Sequence, residues 1–156
     1  MTIDELNGLP AGRAERELLR CCGSRRWAAA MVSARPFPDL DHLKRSADTI
    51  WKGLAPGDWL EAFAAHPRIG DRPAGGWAAQ EQAGVSEAAR TRFAELNRAY
   101  EARFGYIFIV CAAGRSGGEL LTALERRLTH NAEDELPIAA DEQRAIMQLR
   151  LDRLLA

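Results

Sequence analysis

The stretch YIFIVCAA, residues 106–113, decides between two folds. Its β-branched and aromatic side chains suit a buried strand, but a strand needs a partner and no other segment offers one. On its N-terminal side, Ser86 suits a helix N-cap. Ala89, Phe93, Leu96 and Tyr100 then recur on one side of residues 86–103, and Gly105 suits the stop. On its C-terminal side, residues 116–129 and a long segment from about Asn131 read as helices. Pro137 is expected to interrupt or begin the last helix, because it has no N–H to donate. With helices on both sides, 106–113 is expected to be a buried helix or an extended connector, in an all-α fold.

The same periodicity continues toward the N-terminus. Thr2 with Glu5 forms a capping-box pattern, as does Ser116 with Glu119. Residues 11–22 and 25–34 carry Leu18, Leu19, Trp27, Ala30 and Met31 at helical intervals. Residues 40–53 align Leu40, Leu43, Ala47, Ile50 and Trp51 in one apolar stripe, and 56–65 begin at Pro56, tolerated in a first turn. The expectation is a single compact domain of about seven to nine helices over residues 1–156.

Composition narrows the function. With 21 Lys and Arg against 22 Asp and Glu, the formal net charge is -1, which provides no general field for nucleic acid or an acidic membrane. No apolar run reaches the length of a membrane span, and MTIDELNGLP lacks the pattern of a signal peptide. Cys21, Cys22 and Cys111 form no metal-binding spacing, and adjacent Cys21 and Cys22 are poorly placed to bridge. These features fit a reducing, cytoplasmic setting.

The chain has 3 His. His42 falls on a helix surface and His130 at a helix end, where a cation suits the dipole. His66, in AAHPRIGDR (64–72), closes an apolar helix that Pro67 prevents from continuing easily. This is either a plain helix stop or the rim of a site. Glu81 and Gln82, in WAAQEQAG (77–84), offer an acid and an amide, or else a solvated helix face. GRSGGE (114–119) reads as a capped turn. The residues alone lead to a small-molecule site near His66, where an acid, an amide and an imidazole could move protons on a polar heterocycle.

HPRIG (66–70), WAAQEQAG (77–84), FAELNRAYEARFGYIFIVCAAGRS (93–116) and LERRLTHNAEDEL (124–136) together resemble the OHCU decarboxylase family, where OHCU is 2-oxo-4-hydroxy-4-carboxy-5-ureidoimidazoline. The resemblance runs from DELNGLP to RLDRLL. It implies an all-α domain of about eight helices that uses no metal and no organic cofactor and converts OHCU to (S)-allantoin in urate breakdown. By resemblance, His66 and Glu81 are catalytic, and Pro67 and Gln82 bind substrate. Backbone groups of Phe108, Ile109, Val110, Cys111 and Ala112 would hold the substrate ring. The family includes dimers, although no heptad seam here requires one. One departure stands out: the family usually has Ser where this chain has Ala78. Loss of one neutral hydrogen bond, worth about 0.5–1.5 kcal/mol, implies weaker binding rather than lost activity. The departure also leaves open a changed substrate, or a relative that kept the fold as a binding module.

Overall fold

The computed structural model describes residues 1–70, 77, 81 and 86–156, with Glu87 and Ala88 described by backbone alone. Among the described residues there are eight full helices and no strand. They are α1 (Ile3–Gly8), α2 (Ala11–Leu19), α3 (Arg25–Ser33), α4 (Leu40–Lys52), α5 (Pro56–Ala64), α6 (Glu87–Phe104), α7 (Gly117–Arg127) and α8 (Ala132–Leu154). The expected all-α class is what the chain adopts. Its residues group into two compact units, Met1–Ala62 with Arg144–Ala156, and Phe63–Gln143.

In the first unit, local signals set the helix starts. Thr2 Oγ1 accepts from Glu5 N at 3.1 Å, and Glu5 Oε2 accepts from Thr2 N at 2.7 Å, completing the capping box. Ser24 and Asp39 cap α3 and α4 through the N–H groups of Trp27 and His42. The stripe of α4 buries Leu43, Ala47 and Trp51, and His42 stays exposed. The Trp27 indole donates to the Ala47 carbonyl at 3.2 Å, so a large buried ring fastens α3 to α4 without stranding its N–H. Leu6, Leu18, Met31, Met147 and Leu151 complete this core, each fully buried. Such a side chain contributes about 1.5–3 kcal/mol.

Cys21 and Cys22 are free thiols in the same core. Burial pushes both from 9.0 up to about 12, since a thiolate there would lose its water. The fold therefore favours the neutral thiol. Its stabilisation is intact below pH 9.0 and declines as pH rises from there toward about 12. Urea midpoints are expected to hold up to pH 9.0 and drop above it. In the native protein a thiol reagent should reach half-buried Cys111 while sparing Cys21 and Cys22; early labelling of either would contradict their burial.

In the second unit, α6 starts at Ser86, whose Oγ accepts from Ala89 N at 3.2 Å, and ends at Gly105 with φ +82°. Ser116 caps α7 through Glu119 N, but its hydroxyl also donates to the Glu119 carboxylate. The expected second box is therefore a single cap with a side-chain link. Between these helices, 106–113 is neither helix nor part of a ladder, which leaves a connector of the alternatives its sequence allows. Phe108, Val110 and Ala112 pack with Phe93, Tyr100, Leu120 and Leu124.

One expectation is corrected. Pro137 neither begins nor interrupts the last helix: it lies inside α8, which starts at Ala132. Pro137 and Glu133 are both exposed, so water can meet the Glu133 carbonyl that a residue four positions on would otherwise bond.

Candidate active site

α5 ends at Ala64, and the His66 backbone N–H still donates to the Phe63 carbonyl at 3.1 Å, one last turn before Pro67. The imidazole is half-buried. Its Nε2 lies 2.7 Å from Oε1 of Gln143, a fully buried side chain on α8. Pro67 is half-buried beside it.

The chain beyond Pro67 is held by α6. The Asn97 amide donates to the Ile69 carbonyl at 2.7 Å, and Arg90 Nη1 donates to the Gly70 carbonyl at 2.5 Å. Arg68 forms a bidentate pair with Glu101, at 2.8 Å for the closest contact, exposed to solvent and worth little by itself. Gly70 has φ +93°, and a Cβ there would lie 2.6 Å from Cβ of Phe93. The last residue of HPRIG must therefore be glycine for two reasons, a left-handed backbone and contact with a core helix. Gly70→Ala is expected to destabilise the protein by about 2–4 kcal/mol, combining backbone strain with overpacking. Gly57→Ala, where nothing lies within 4 Å, should be close to neutral. Paired urea melts check the contrast.

Residues 108–112 are the other segment that the resemblance assigns to substrate. Phe108, Ile109, Val110 and Ala112 are buried and Cys111 is half-buried. Arg127 Nη1 donates to the Ile109 carbonyl at 2.5 Å and its guanidinium lies 4.5 Å from the centre of the Phe108 ring. The same Arg127 pairs with Glu135 at 2.6 Å, and both are buried. Glu135 also accepts from Tyr100 Oη and meets His130 Nδ1 at 3.0 Å. Burial first, then the hydrogen bond to Glu135, holds the Tyr100 phenol well above its ordinary range. Among the described residues, none of the backbone N–H groups of 108–112 donates a hydrogen bond within the protein. Where such amides are shielded from water, a bound ligand or water can satisfy them.

Glu81 is helical and half-buried, as is Trp77. Its carboxylate acts on the Cys111 thiol, which burial raises first and which Glu142 and Glu81 raise further. Glu142 lies next to Gln143, the partner of His66. α8 adds the group that meets His66. Gln82 and Ala78 lie outside the described residues.

Reading of the sequence missed Gln143, Asn97 and Arg127. Each had a signal. Gln143 interrupts the buried Ala139, Ala140, Ile146, Met147 face of α8, and Asn97 sits between Phe93 and Tyr100 on α6. A polar residue on an apolar face needs a partner, but the sequence does not say which. Among the described residues no cluster of His, Cys, Asp or Glu could hold a metal ion.

Comparison with known proteins gives one consistent result. The family model described as OHCU decarboxylase matches residues 7–152. The chain is 37% identical over 151 residues to the uric acid degradation bifunctional protein TTL of Arabidopsis thaliana, covering 90% of this chain and 47% of that protein. It therefore spans about half of that relative's length. It is 30% identical to the 2-oxo-4-hydroxy-4-carboxy-5-ureidoimidazoline decarboxylase of Haloferax volcanii, over 80% of this chain and 79% of that one. A crystal structure of an OHCU decarboxylase in the presence of (S)-allantoin superposes with a TM-score of 0.81 at 40% identity, covering 88% of this chain and 96% of the other. On this breadth of match, the chain belongs to the OHCU decarboxylase family.

Proposed function

We propose that this protein decarboxylates OHCU to (S)-allantoin, the last chemical step in opening urate to a ureide. The observations that support it most are the His66 imidazole, held at the end of α5 by Gln143, and the 108–112 segment, whose backbone N–H groups donate no hydrogen bond among the described residues. One group can move protons, and the other can hold the oxygens of a flat heterocycle.

The chemistry suits such a site. The substrate carboxylate is on a carbon that also bears a hydroxyl and adjoins a ring C=N. When the C–C bond to CO2 breaks, its electron pair flows into that imine and leaves an enediamine-like intermediate. The imine nitrogen takes one proton, a second adds to the neighbouring carbon, and the hydroxyl gives one up as it becomes the ring carbonyl, so the net uptake is one proton per CO2 released. The substrate is its own electron sink, so the protein has to orient it and handle protons. His66 is assigned the proton handling, and Glu81 accepts from N–H or O–H groups of the substrate. By resemblance Pro67 and Gln82 bind substrate, and residues 108–112 donate to ring oxygens. Protonation from one face gives one enantiomer.

The family match crosses both compact units, which supports treating residues 1–156 as one decarboxylase domain. The reading places the enzyme in the cytoplasm, acting on a small molecule without nucleic acid or membrane partners, as a monomer or a homodimer. Balanced charge and the buried free thiols support this. No described helix is long and apolar enough to cross a membrane.

The test generates OHCU in place from urate, with urate oxidase and hydroxyisourate hydrolase, and follows circular dichroism after this protein is added. Rapid appearance of the single (S) enantiomer is the expected result. Decay no faster than the spontaneous racemic reaction, from folded protein, would overturn the proposal.

A further inference from the structure

Gln143 makes two observations that the reaction as assigned leaves unused. Its Oε1 lies 2.7 Å from Nε2 of His66, while its side chain is fully buried. Its amide nitrogen is also buried and has no hydrogen-bond partner among the described residues. A buried N–H group left unpaired is costly, so such a donor beside an imidazole needs a purpose. The two atoms belong to one amide group, so the unpaired nitrogen is a near neighbour of the His66 ring.

We infer that Gln143 positions His66 and binds substrate through the same amide. The carbonyl oxygen accepts from Nε2–H and so fixes the tautomer with its lone pair on Nδ1, the nitrogen that then takes and returns the proton. The –NH2 group donates to an acceptor oxygen of the substrate. The orientation of the amide suits an acidic substrate. Turned over, it would present a carbonyl lone pair to the substrate instead of a donor, and would impose the opposite imidazole tautomer. Unlike a carboxylate, an amide sets the tautomer without adding charge to the site. The inference rests on His66 being the proton-handling group.

Long-range 15N–1H spectra of the unliganded wild-type protein at about pH 8.5, where imidazole is ordinarily neutral, test the tautomer without any variant or any turnover. The expected pattern for His66 is a protonated Nε2 and a pyridine-like Nδ1; the reverse pattern would overturn the inference. Gln143→Leu keeps roughly the same volume and removes both functions. It should lose the fixed tautomer and lower kcat by about tenfold or more, which corresponds to one hydrogen bond to a reacting group. Gln143→Glu keeps the acceptor but replaces the donor with negative charge. It should retain the tautomer and raise KM by about tenfold or more. Unchanged kcat and KM in Gln143→Leu would also overturn it. Failure of the underlying reading looks different: His66→Ala would then keep full turnover, whatever the tautomer.

Discussion

Replacing His66 with alanine is expected to lower kcat by about a hundred- to ten-thousand-fold, the range for removing a positioned general acid–base group. The stability effect should be smaller and have a separate cause. Without the imidazole, the buried Gln143 carbonyl loses its donor, a penalty of about 1–3 kcal/mol. The variant should therefore unfold cooperatively at a lower midpoint while retaining its helical dichroism. (S)-Allantoin formation and urea melts, on the same preparation, separate the two effects. Full turnover in His66→Ala would remove this residue from the chemistry. Loss of helical signal would mean that its contribution is mainly to folding.

The second large effect is expected at Arg127. Arg127→Met should destabilise the protein by about 3–5 kcal/mol, because it leaves the Glu135 carboxylate buried without its cation. Tyr100 and His130 remain as partners of Glu135, but neither carries the permanent charge of a guanidinium. Adding Glu135→Leu to Arg127→Met should recover much of that loss, since an apolar pair avoids the desolvation of both ions. Activity should not recover in parallel. The Ile109 carbonyl would still lack the donor that holds it at 2.5 Å, so the 108–112 amides would be less well fixed. Denaturant midpoints for the single and double variants, with kcat/KM for each, test both claims. A double variant that regains stability and full activity would show that the ion pair serves folding alone.

The helices were legible because their signals are local. Thr2 with Glu5, Ser86 and Gly105 act within a few residues of themselves, and the stripes of α4 and α6 follow from 3.6-residue periodicity. His66 and Pro67 were legible as the end of α5 for the same reason. Pro137 was misread because its exclusion from helices assumes that the freed carbonyl has no other partner, and on an exposed face water supplies one. The segment 106–113 marks the boundary between the two kinds of information. Its side chains specify burial, but they do not name Arg127, 18 residues beyond Ile109, as the donor that takes its carbonyl.

The sequence by itself determined the all-α class, the helix ends and the family, through short-range chemistry and motifs in fixed order. Only the tertiary structure decided that Gln143, 77 residues from His66, is the partner of its imidazole. It also decided that Gly70 lies against Phe93 and that the buried Arg127–Glu135 pair holds the connector through the Ile109 carbonyl. The reason is physical: a buried polar group must find a partner, and which partner it meets depends on how the chain packs.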